Sequence, residues 1–127
     1  MRTIAVLFAL ITVSAIGLSQ QDTTSWKGYL ADQMCAFRWR GALAEKYAER
    51  HATSCNFDKE CMASGYGIMV DGTFIKLTEA SNPKAIAALQ ATKTKKGVFV
   101  EVTGTMVDGK IEAARVDEME KRVGSRE

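Results

Sequence analysis

The sequence predicts a mainly β fold with helices: an OB-like five-stranded barrel with a helical Cys/His insertion between strands 1 and 2. Three observations predict it. Two Asp-Gly pairs, Asp71-Gly72 and Asp108-Gly109, each stand between β-rich runs, and this dipeptide supplies the positive φ angles that a two-residue hairpin turn needs. A helical stretch, "SNPKAIAALQATKTKKG", separates the two hairpins. An alternating run, "WKGYLAD", comes before both, with a long insertion between. Strand, insertion, hairpin, helix, hairpin is the order of an OB barrel whose helix lies between its third and fourth strands. An open α+β sheet with one covering helix fits the same order.

The chain opens with "MRTIAVLFALITVSAIGLSQQ", one basic residue, Arg2, followed by an uncharged apolar run. That form is a signal peptide. The run is short of the roughly 20 apolar residues of a membrane span, and Gly17 and Ser19 are small enough to flank a cleavage point after Ser19. The expectation is a signal peptide over 1–19 and one domain over 20–127, exported to the periplasm or secreted, with no membrane attachment after cleavage. With Arg2 removed, the 17 basic side chains fall to one more than the 15 acidic ones. Such a balance gives no long-range attraction for nucleic acid or an anionic membrane.

In the first strand Trp26, Gly28 and Leu30 alternate with Lys27, Tyr29 and Ala31, the period of two that strands require. In the second hairpin Val98, Val100 and Val102 share the face expected to be core, and Phe99, Glu101 and Thr103 share the other. Between the hairpins, Asn82 suits a helix cap, Pro83 the first helical position, and Ile86 and Leu89 the buried face.

The insertion, 33–65, reads as two helices. In "GALAEKYAERH", Leu43 with Tyr47 and Ala44 with Ala48 repeat at helical spacing, predicting a helix over Gly41 to His51. A second, shorter helix follows, capped by Asn56 or Asp58 and ended by Gly65. Asp32 is positioned to cap the chain where it enters the insertion. In "FRWR", Phe37 and Trp39 are expected to anchor the insertion while Arg38 and Arg40 face water.

The insertion also concentrates the chemistry. It holds all three cysteines and the only histidine. Cys35, His51, Cys55 and Cys61 would complete a tetrahedral Zn²⁺ shell, with His51 and Cys55 on one face if the first helix continued that far. Thiolates also suit Cu(I), and Met34 and Met62 adjoin Cys35 and Cys61. A second reading is a structural disulfide, most simply Cys55 with Cys61. A third is thiol-redox chemistry at Cys61 or Cys35, with Cys61 in the first turn of its helix and His51 as a base. The sequence leaves all three open. The function expected is a small exported binding module whose insertion holds a metal or ligand site. Its partner would be a small ligand, a metal or a protein, and no catalysis is expected. The alternatives are a disulfide-stapled structural or interaction domain and a thiol-redox protein.

Asp32-x-x-Cys35, then His51-x3-Cys55-x5-Cys61-x3-Gly65, then Val100-x-Val102-x-Gly104 form a pattern over nearly the whole exported part. It resembles a group of small exported bacterial proteins of unknown function. The resemblance implies a secreted or periplasmic location and no established activity.

Overall fold

The computed structural model describes residues 22–120. The expected leader, its cleavage point and the C-terminal "KRVGSRE" lie outside the described residues. The rest is mainly β, with a five-stranded antiparallel sheet and a few helices. The strands are β1 (Thr24–Asp32), β2 (Tyr66–Val70), β3 (Thr73–Lys76), β4 (Phe99–Val107) and β5 (Lys110–Glu118). Their order across the sheet is β3-β2-β1-β4-β5. The first strand in sequence is thus the central one. The antiparallel ladders end at β3 and β5, so the sheet is open rather than a closed barrel. One isolated parallel bridge, Leu77 with Ile111, lies just past the end of β3, and Thr78 N–H donates to the Ile111 carbonyl at 2.9 Å.

Both hairpins turn at the predicted pairs. Asp71 and Gly72 have φ of 47° and 81°, and Asp108 and Gly109 have 50° and 75°. The β4–β5 ladder shifts register between Thr103 and Gly104.

The principal core lies on one face of the sheet and includes the predicted Val98, Val100 and Val102 with Leu30, Ile68, Leu77, Leu89 and Ile111. Helix α4 (Asn82–Ala91) covers it. Ala85 and Leu89 are buried, and Ile86 packs at the margin. Pro83 sits in the first turn as expected. Asn82 is not the cap but the first helical residue, and its Oδ1 accepts from Tyr66 N–H at 3.2 Å. The residue predicted to begin the helix therefore ties it to β2.

The insertion contains α1 (Gln33–Ala36), α2 (Ala44–Arg50) and α3 (Lys59–Ser64), with 3₁₀ turns at Gly41–Leu43 and Thr53–Phe57. Helix α2 covers the other face of β1, where Tyr29 and Met69 pack against Ala44 and Ala48. Its buried stripe is the alanine pair, while Leu43 and Tyr47 are exposed. Alanines allow the helix to lie close to the sheet, and larger side chains on that face would hold it away. The end of β1 is consequently buried on both faces: Tyr29, Leu30, Ala31 and Asp32 are all inside. Of the predicted aromatic anchors, only Trp39 packs inward, against this second cluster. Phe37 is 65 % exposed, with the Arg40 guanidinium 5.5 Å from its ring.

Candidate metal centre

The site grows from the end of the central strand. Asp32 is the last residue of β1, paired in register with Tyr66, and also the N-cap of α1. Its Oδ2 accepts from the Cys35 backbone N–H at 2.8 Å. That bond satisfies an N–H left without a partner in the first helical turn. It also fixes the carboxylate beside the Cys35 side chain. Asp32 Oδ1 lies 3.0 Å from His51 Nε2, and the Asp32 N–H donates to Asn56 Oδ1 at 3.0 Å.

Asn56 is the junction of the insertion. Its Nδ2 donates to the Thr53 carbonyl at 3.1 Å, and its own carbonyl accepts from Tyr66 Oη at 2.7 Å. These side chains are thus satisfied by backbone groups of the same cluster. Among the described residues, no buried side-chain nitrogen or oxygen lacks a partner. Such closure is required where polar groups leave water.

His51 is held from three sides. Helix α2 ends at Arg50, so His51 is in extended conformation at its C-cap. Its carbonyl accepts from Gly97 N–H at 3.0 Å, and its ring meets Trp39 edge-on at a centroid separation of 4.9 Å. The early end of α2 rules out the shared helical face expected for His51 and Cys55.

A ligand atom from each of Asp32, Cys35 and Cys61 lies within 4.8 Å of the other two, a group that could hold a metal ion. Helices α1 and α3 bring the two thiols together. They are joined by Met34 N–H to Ser64 Oγ at 3.0 Å and Gln33 N–H to the Gly65 carbonyl at 2.8 Å. Of the four expected ligands, Cys35 and Cys61 meet here, and His51 touches the group through Asp32. Cys55 lies in the Thr53–Phe57 turn, outside the group of three. All three cysteines are free thiols.

The group is electrostatically polarised. Burial alone would raise the Asp32 carboxyl pKa. Hydrogen bonds from His51 and the Cys35 N–H, the His51 charge and a hydrogen bond from Cys61 outweigh it and hold the carboxyl below its ordinary value. The thiols move the other way. Burial, then the Asp32 charge, pushes Cys35 up to about 12, and the same two causes lead the rise at Cys61. Cys61 does lie in the first turn of α3, but burial and the adjacent carboxylate overcome any favour a helix start gives a thiolate. In the metal-free site both cysteines keep their protons at neutral pH, and a metal ion would have to displace them.

The sequence places Asp32 first as a cap and not among the four expected ligands. The signal was the Asp-x-x-Cys spacing, since a carboxylate that caps the N–H three residues on is carried to that residue's side chain.

Neither a family model nor a curated protein nor a solved structure matches this chain.

Proposed function

We propose that this protein is an exported binding module whose insertion holds a transition-metal ion, with Zn²⁺ the first choice, through Asp32, Cys35 and Cys61. The single observation that carries the reading is the convergence of these three ligand atoms within 4.8 Å at a buried strand end. Two thiolates and a carboxylate suit Zn²⁺, which accepts S and O ligands in tetrahedral geometry. His51 then orients the carboxylate, an outer-sphere role that tunes metal affinity. The two cysteines line a cleft with Met34, Arg38, Asp58, Lys59 and Glu60, from which a fourth ligand would have to come. Cu(I) is the second choice, supported by Met34 and Met62, which adjoin Cys35 and Cys61 in sequence.

Isothermal titration of reduced, metal-free protein tests this. Zn²⁺ should bind with one-to-one stoichiometry, more tightly as pH rises because the thiols must lose protons. Asp32→Asn and Cys61→Ser should each weaken it. Binding that survives both changes, or is absent in the reduced wild type, overturns the reading. Tighter binding of Cu(I) than of Zn²⁺ would select the second ion.

The sheet is proposed to approach an OB-like barrel, with β3 and β5 meeting along the line begun by the Leu77–Ile111 bridge. The position of α4 between β3 and β4 supports this. Hydrogen exchange tests it: protection of the Thr78 amide comparable to that of the Val100 amide supports closure, and rapid exchange opposes it. Export is supported by the N-terminal apolar run alone, and the N-terminal mass of the protein recovered from its producing cell decides it.

A further inference from the structure

Cys35 and Cys61 occupy facing helices, α1 and α3, with their Sγ atoms within 4.8 Å. A disulfide needs them about 2.05 Å apart. Closing that difference takes side-chain rotation combined with a shift of either helix, both only one to two turns long. Their access to solvent differs. Both line the cleft with Met34, Arg38, Asp58, Lys59 and Glu60, but Cys35 is half-buried whereas Cys61 is 6 % exposed. Cys55 is outside the group.

We propose that Cys35 and Cys61 form a reversible redox pair that exchanges with low-molecular-weight disulfides, and that its disulfide form excludes the metal ion. The second half rests on the metal reading above, and the first half does not. Glutathione disulfide serves as the co-reactant. Cys35 Sγ, as thiolate, attacks one sulfur of glutathione disulfide, forming a mixed disulfide and expelling one glutathione thiolate, which takes up a proton. Cys61 Sγ, losing its proton to solvent, then attacks the Cys35 sulfur and expels the second glutathione. Two protein thiols are oxidised, and one glutathione disulfide is reduced to two thiols. Cys35 reacts first because it is the more exposed of the two. Cys61 resolves because it is buried against Cys35. The pair is read at equilibrium.

The signal-free protein, reduced and metal-free, is equilibrated with glutathione mixtures of increasing oxidising ratio, quenched by alkylation and mapped by mass spectrometry. The expected product has lost two hydrogens, with Cys35 linked to Cys61 and Cys55 alkylated. Cys55→Ser should behave identically, and Cys61→Ser should stop at glutathione on Cys35. A disulfide that includes Cys55, or a reduced pair in the most oxidising mixture, would overturn the proposal. Zn²⁺ titration of both forms separates the two halves. Loss of an outer-sphere group costs about 10- to 100-fold in affinity, so loss of two ligands should exceed about 100-fold on oxidation. Disulfide formation in a protein that binds no Zn²⁺ when reduced would remove the metal reading and leave the redox pair. Zn²⁺ binding to the reduced form with no Cys35–Cys61 bond under oxidation would do the reverse. Equal Zn²⁺ affinity of the two forms would refute exclusion.

Discussion

Replacing Asp32 by Ala should destabilise the protein more than any change at its surface, by an amount that follows from its contacts. The side chain is fully buried, and its bonds include those to the Cys35 N–H at 2.8 Å and to His51 Nε2 at 3.0 Å. Loss of a helix N-cap costs about 0.5–2 kcal/mol. A hydrogen bond to a charged group contributes about 1.5–3 kcal/mol. The two losses share one side chain and are not strictly additive, so the expected cost is about 2–4 kcal/mol. Asp32→Asn keeps an acceptor for the Cys35 N–H and should cost about half as much. Urea melts of metal-free, reduced wild type and the two variants measure these values. Ser25→Ala, which removes an exposed 3.3 Å bond to Thr103, is the control and should stay within about 0.5 kcal/mol. If Asp32→Ala also stays within that margin, the carboxylate does not organise the insertion, and the site geometry described above is wrong.

Acid should act through the same group. The Asp32 pKa is depressed in the fold, so its contribution to stability is fully present above its ordinary value of 3.8 and is lost as the pH falls through the folded-state value. Wild type should therefore lose more stability than Asp32→Asn below about pH 4, and parallel melting curves across that window would contradict the assignment. In the core, Val100→Asp should cost more than about 3 kcal/mol by burying an unpaired charge, whereas Glu101→Lys should remain within about 1 kcal/mol. Equal effects in denaturant would mean that the β4 register is wrong. Gly97 has φ 66°, and a Cβ there would collide with the Glu49 carbonyl. Gly97→Ala should then lower the thermal midpoint by several degrees, and an unchanged midpoint would show that this contact is not made.

The hairpins and the valine face were legible because they depend on local chemistry. Asp-Gly fixes a turn by its own backbone preferences, and Val98, Val100 and Val102 fix a face by alternation. Which strand lies at the centre of the sheet was not legible, because pairing is decided by contacts far apart in sequence. The insertion shows the same division. Its helices fell close to where the period placed them, but α2 stopped at Arg50, where His51 turns away to contact Asp32, Trp39 and Gly97. The helix ends within one residue of the predicted bound, but nothing local shows where the His51 side chain then reaches. In the site, the proximity of Cys35 to Cys61 depends on the packing of α1 against α3, and Asp32 reads first as a cap because the sequence shows its spacing to Cys35 and nothing of its reach to His51.

The backbone of Thr94, Lys95 and Lys96 is a fastening for the insertion. Thr53 N–H donates to the Lys95 carbonyl at 2.9 Å, Thr53 Oγ1 to the Thr94 carbonyl at 2.7 Å, and Ala52 bridges Lys96. A protease specific for basic residues must draw an extended length of chain into its cleft, and these lysines cannot yield it while Thr53 holds on. Cleavage at this tract therefore requires the insertion to peel away from the connection between α4 and β4. The rate of nicking becomes a clock for that local opening, and a bound ion that grips both ends of the insertion should slow it without touching a single lysine.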